Sequence, residues 1–220
     1  MAAAKGRTNG FAIGISIAVV VVLVALGGVV IWLNNKATDA GPAPKSEILN
    51  TDTGALTYGG GKDVVAVYLD FQCPICNTFE QQYGEKLEKA AEDGKITLEY
   101  HPIAILDRYS QGTLYSSRSA AAAFCVAESN PDKYLDYAKT LFANQPKENS
   151  PGLDNDQLIE FAKEVGADKA ASCITDEKYV KYPAAQALKH EIKGTPSIDI
   201  NGKRLDLQKN GVAQLEELIN

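Results

Sequence analysis

Residues 64–79 join an unbroken apolar run, a Cys-x-x-Cys pair and a helix-forming segment, and few folds accept that order. Val64-Val65-Ala66-Val67-Tyr68-Leu69 is valine-rich and lacks polar alternation, which suits a strand buried on both faces. Phe71-Gln-Cys73-Pro74-Ile75-Cys76 follows, and Asn77 to Ala91 reads as a helix ending at Gly94. Cysteines three apart share one helical face and can close a small disulfide ring. At a helix N-terminus, aligned peptide dipoles and unpaired N–H groups stabilise an anion, here the thiolate of Cys73. Pro74 suits the first turn, where its missing N–H has no partner to lose. The pattern predicts thiol–disulfide exchange at Cys73 and Cys76.

The remaining pattern predicts an α/β domain. Ala55 to Tyr58 reads as a short first strand and Lys95 to His101 as a strand stopped by Pro102. A helical block runs from about residue 113 to 190. It comprises Leu114 to Ala127, a segment from Asn130-Pro131 to Phe142, a helix capped by Asp154 and ended by Gly166, and short helices over 168–173 and 176–188. Ser197 to Ile200 and Lys203 to Leu205 flank Asn201-Gly202, a strong hairpin turn, before a last helix from Asn210 to Ile219. A parallel βαβ unit followed by an antiparallel hairpin gives a small sheet with helices on both faces. Tyr58-Gly-Gly-Gly-Lys-Asp63 lacks the Lys-Ser/Thr of a phosphate loop and runs into a strand, so it reads as a turn. Asp107-Arg108 reads as solvated surface.

Lys193-Gly-Thr195-Pro196-Ser197, just before the hairpin, is the second fixed point. Together, Phe71-x-Cys-Pro-x-Cys76, the long helical insertion, Gly-Thr-Pro-Ser and the hairpin resemble the DsbA-like thiol–disulfide oxidoreductases of the thioredoxin superfamily, over residues 50–220. His101-Pro-Ile-Ala-Ile-Leu and the alanine-rich helix are similar to membrane-anchored members from actinobacteria and other Gram-positive bacteria. The resemblance implies a thioredoxin-like fold, Cys73 as the attacking thiol and Cys76 as its more buried resolving partner. It implies a cis Thr195–Pro196 bond facing the cysteines, with the Thr195 backbone pairing with an extended substrate. It implies no organic cofactor; the partners it implies are exported proteins with cysteine pairs and a membrane redox protein that recycles the couple. Two departures stand out. Ile75 occupies a position where strong oxidants of the family carry histidine, and Val67 occupies the place of a buried acid six residues before the first cysteine. The first points to a couple less oxidising than about −120 mV. The reaction expected is oxidation of dithiols in exported proteins; a reductase or isomerase, or a tethered metal-delivery or binding module, is the alternative. A structural zinc site is not expected, because Cys125, Cys173, His101 and His190 lack ligand spacing.

Compartment follows from the N-terminus. Phe11 to Leu33 is 23 residues without charge, about 34 Å of helix against a hydrocarbon core of about 30 Å. It exceeds a signal-peptide core of about 7–15 residues, although Ala37 to Ala40 offers a weak cleavage site. Lys5 and Arg7 precede the run and Lys36 alone follows closely, so residues 1–10 form a cytoplasmic tail and the large domain lies outside. Residues 34–49, with Gly41-Pro-Ala-Pro44, read as a linker. Beyond Lys36, 19 basic residues face 28 acidic ones. Such an acidic body argues against nucleic-acid binding. In an oxidising compartment, Cys125 and Cys173 are expected to pair as a disulfide clamping two helices of the insertion; a buried free thiol at Cys125 is the alternative. Protease added to spheroplasts should digest the domain from residue 50 onward, and complete protection would place it in the cytosol.

Overall fold

The computed structural model describes residues 40–219, together with 23, 24 and 26–29. The latter six are helical, with Leu23, Val24, Leu26 and Val29 exposed. The rest of the expected span over 11–33, the tail before it and residues 34–39 lie outside the described residues. Among the described residues no helix is long and apolar enough to cross a membrane.

The domain is built on a sheet of five strands in the order β1-β3-β2-β4-β5. These are β1 (Leu56–Gly59), β2 (Asp63–Leu69), β3 (Ile96–Pro102), β4 (Ser197–Ile200) and β5 (Lys203–Arg204). The apolar run is the central strand. It pairs parallel with β3 and antiparallel with β4, Val67 lying opposite both Tyr100 and Ile198. Its two faces enter different cores. Val65, Val67 and Leu69 join the main core, whereas Ala66 and Tyr68 pack with Ile103, Ala187 and Ile192 on the other face. Burial on both faces explains why the strand shows no polar alternation. The hairpin turn forms at Asn201-Gly202, both with positive φ, as a type I′ turn requires.

The helix after β2 runs in three pieces: α1 (Pro74–Phe79), a π-helical segment (Glu80–Gly84) and α2 (Glu85–Glu92). The insertion holds α3 (Tyr115–Ser129), α4 (Tyr134–Ala143), α5 (Asn155–Glu164), α6 (Ala171–Thr175) and α7 (Tyr182–Lys189), and α8 (Gly211–Ile219) closes the chain. Helix α3 is buried almost all round, because Ala120 to Ala123 let neighbouring helices approach closely. Asp154 caps α5 through a reciprocal box with Gln157, as its position predicts.

Three expectations shift. The helix expected from Asp176 starts only at Tyr182, because Glu177 takes a positive φ and Pro183 fits only a first turn. Asp107 is not free surface: its carboxylate accepts from Ser117 N at 2.9 Å and Ser117 Oγ at 2.6 Å, holding the first turn of α3. Within the segment read as a linker, Pro44 and Leu49 are buried, Ser46 Oγ donates to Ala127 O and Thr57 N donates to Ile48 O, so the chain is docked on the domain before β1 begins.

Cys125 in α3 and Cys173 in α6 form a disulfide, with Cα atoms 5.7 Å apart across 48 residues. The bridge staples the insertion's central helix to its far side. A Cys125→Ala/Cys173→Ala variant should lose about 4 kcal/mol, the loop-closure value for a chain of that length. For a domain of this size that is roughly 8–16 °C in Tm. An unchanged melting curve would remove the staple from the account of stability.

Candidate active site

Strand β2 ends at Leu69, and the chain turns through Asp70 to Cys73 before α1 begins. The turn is held by Asp70. Its backbone carbonyl accepts from Cys73 N at 2.9 Å, its Oδ1 accepts from Gln72 N, and its Oδ2 accepts from Ile105 N and Leu106 N. Asp70 is fully buried. Burial pushes its carboxyl up to about 6, against the opposing effect of those N–H groups. Gln72 is also buried. Its Nε2 donates to Tyr109 O, and its Oε1 accepts from Ser116 Oγ of α3.

Cys73 caps α1 with extended backbone, and Pro74 opens the helix, as the sequence predicts. Both cysteines are free thiols, Cys73 6% exposed and Cys76 fully buried. Their acidities diverge. The Cys73 thiol is lowered to about 6, chiefly by the hydrogen bond from the Cys76 side chain, with Thr195 and the backbone N–H groups of Cys76 and Ile75 adding to it and burial opposing. Cys76 is pushed up, first by burial and then by the neighbouring Cys73. The surroundings thus favour the thiolate on Cys73 and the protonated thiol on Cys76.

The second fixed point arrives from the other end of the chain. Tyr68 pairs with Ser197, so the residues preceding β4 stand beside the start of α1. Thr195–Pro196 is cis, and the Cys73 thiol donates to Thr195 O at 3.4 Å. Ile75 is 66% exposed. With Thr195, Pro196, Arg204 and Leu205 it lines an open groove of about 830 Å³. The structure therefore brings together Cys73, Pro74, Ile75, Cys76, Thr195 and Pro196, and leaves Cys125 and Cys173 in the insertion. Val67 is buried in the core. The buried carboxylate of this neighbourhood is Asp70, in the turn rather than in the strand.

Sequence reasoning missed Gln72, Asn77, Ser116 and Gln145. Asn77 Nδ2 donates to Phe142 O at 2.9 Å, and Gln145 Nε2 donates to the carbonyls of Phe71 and Cys73. Polarity at Gln72, between Phe71 and Cys73, was a usable signal. Gln145 lies in a polar loop with no periodicity to single it out.

These features define a thioredoxin-fold domain with a dithiol at a helix N-terminus facing a cis-proline loop. The family model described as thioredoxin matches residues 59–220, and the chain belongs to that family. Its structure is similar to DsbA from Mycobacterium tuberculosis, at 31% identity, 76% of this chain, 92% of that one and a TM-score of 0.65. It is also similar to the disulfide bond oxidoreductase DsbG of M. tuberculosis, at 33% identity, 84% and 92% coverage and a TM-score of 0.64. Within the thioredoxin family, the chain is of the DsbA type of thiol–disulfide oxidoreductase. It is also 36% identical over 107 residues to the serine/threonine-protein kinase PknE of M. tuberculosis H37Rv, a match covering 46% of this chain and 19% of the kinase.

In the reduced protein, thiolate absorbance should rise with a midpoint near pH 6 for one sulfur only. Because the folded Cys73 pKa lies below its unfolded value of about 9, the unfolded chain binds the extra proton between these pH values. Stability of the dithiol form relative to the disulfide form should therefore increase from pH 6 towards 9. A relative stability flat across that window would contradict the assignment.

Proposed function

We propose that the chain is a membrane-anchored, extracytoplasmic protein disulfide oxidoreductase that oxidises dithiols of exported proteins through Cys73 and Cys76. The observation that carries this reading is the split between the two sulfurs, an acidic Cys73 beside a buried, protonated Cys76. Stabilising the Cys73 thiolate stabilises the reduced protein, so its disulfide accepts electrons readily. A substrate thiolate attacks Cys73 Sγ of the Cys73–Cys76 disulfide, the Cys76 sulfur leaves, and its raised pKa favours taking up a proton. A second substrate thiolate then attacks the substrate sulfur of the mixed disulfide and expels Cys73 as a thiolate. Two electrons have passed to the protein, and a membrane acceptor removes them as the Cys73–Cys76 disulfide reforms. Thr195 and Pro196 form the wall against which an extended substrate backbone lies.

The location rests on two observations. The Cys125–Cys173 disulfide fits an oxidising compartment, and Phe11 to Leu33 has the length and composition of a spanning helix. The names of the M. tuberculosis relatives, DsbA and the disulfide bond oxidoreductase DsbG, support the class of reaction.

Equilibration with glutathione tests the direction. With Ile75 in place of a hydrogen-bonding residue, the potential should fall between about −120 and −270 mV, the values of DsbA and thioredoxin. A value at or below the lower figure would assign the protein as a reductase. In cells, Cys76→Ala should accumulate mixed disulfides with exported proteins, and Cys73→Ala should accumulate none.

A further inference from the structure

The helical insertion reaches back to the dithiol through one side chain. Gln145, in the loop between α4 and α5, donates from Nε2 to Phe71 O and to Cys73 O, each at 2.9 Å. Its Oε1 faces Asn77 Nδ2 at 3.4 Å, and Asn77 Oδ1 accepts from Gln81 Nε2 at 3.0 Å. The partners dictate which way the amide lies: turned over, its oxygen would face two carbonyl oxygens and its nitrogen an amide donor. Cys73 O also accepts Asn77 N at 3.2 Å, the first rung of the α1 ladder. Gln145 therefore grips both the turn before Cys73 and the first turn of the helix. That turn carries the Ile75 and Cys76 N–H groups that face the Cys73 sulfur.

We propose that Gln145 is a positioning residue for thiol–disulfide exchange: by holding the Phe71 and Cys73 carbonyls it keeps the N–H groups of Ile75 and Cys76 aimed at the Cys73 sulfur, and the insertion thereby sets how oxidising the couple is. The inference rests on the reading of Cys73 as the exchanging thiol. A hydrogen bond contributes most when its direction is fixed, and a turn released at two carbonyls leaves the N–H groups of its helix free to tilt. The thiolate then loses stabilisation, the reduced form with it, and the protein becomes a weaker oxidant.

The test uses the full chain and two substitutions. Gln145→Met keeps length and volume but removes the amide, and Gln145→Glu sets a carboxylate against the two carbonyls. Both should raise the midpoint of Cys73 thiolate absorbance, Glu more than Met. For Gln145→Met the equilibrium constant for oxidising glutathione should fall about three- to tenfold, the equivalent of one net hydrogen bond. Asn77→Ala, which of the Gln145 bonds removes only that to the amide oxygen while also releasing Phe142 O and Gln81 Nε2, should give a smaller shift in the same direction and serves if either Gln145 variant fails to fold. Variants that melt earlier but keep the wild-type midpoint and equilibrium constant would show that Gln145 only braces the loop, and would overturn the proposal. If the wild type does not exchange with glutathione at all, the functional reading fails and takes this inference with it. A wild type that exchanges, with matching variants, sinks this inference alone.

Discussion

Everything at the site depends on β2 being paired on both edges and buried on both faces. A strand pairing only β3 would still deliver Cys73 to a helix N-terminus, as any βαβ unit can. It is the second pairing, with β4, that brings the distant Thr195–Pro196 loop within 3.4 Å of the sulfur. Register is unforgiving here: a slip of one residue in β2 would turn Val65, Val67 and Leu69 out of the main core and Ala66 and Tyr68 into it. The packing that stabilises the domain is thus the packing that aligns the two halves of the site, although about 120 residues separate them.

The acidity of Cys73 is achieved without a formal positive charge among the causes that lower it. Its sulfur is served by the neighbouring thiol, by Thr195 and by two backbone N–H groups at the start of α1. Such fixed dipoles act at short range and lose strength quickly when misdirected. The turn that aims those two N–H groups therefore contributes to the thiolate's stability alongside the Cys76 thiol. Asp70 and Gln72, within that turn, tie it to the loop after β3 and to α3, and Gln145 grips it from the α4–α5 loop. Three separate parts of the chain therefore fix a loop of four residues.

Much of this was legible in the sequence because it obeys local rules. The valine-rich strand, proline behind a cysteine, the Asn-Gly turn and the Asp154 cap each have a short-range physical cause, and each appears where its residues predict. What was not legible depends on distant partners. Asp107 looks like solvent-facing charge until Ser117, ten residues on, offers it an N–H and a hydroxyl. Ser46 belongs to a stretch with linker composition until Ala127 O accepts its hydroxyl proton. His101 reads as the end of a strand, which it is, but nothing local reveals that its ring is buried and stacked on Tyr68 at 4.2 Å. Gln145 is the extreme case, since its meaning lies in two carbonyls more than 70 residues earlier.

The position of the buried carboxylate shows how such distance matters for chemistry. A carboxylate in the strand at position 67 would sit in the main core, opposite Tyr100 and Ile198. Val67 fills that place with apolar volume, and the acid is displaced to Asp70, where three backbone N–H groups receive it. Those N–H groups oppose the effect of burial, which is why a carboxyl with no exposure is pushed only to about 6. An acid so fully engaged braces the turn, and taking a proton would cost it hydrogen bonds that the turn needs. The Cys76 thiol is pushed up by burial first, then by its hydrogen bond to Cys73 and by the charge of that sulfur.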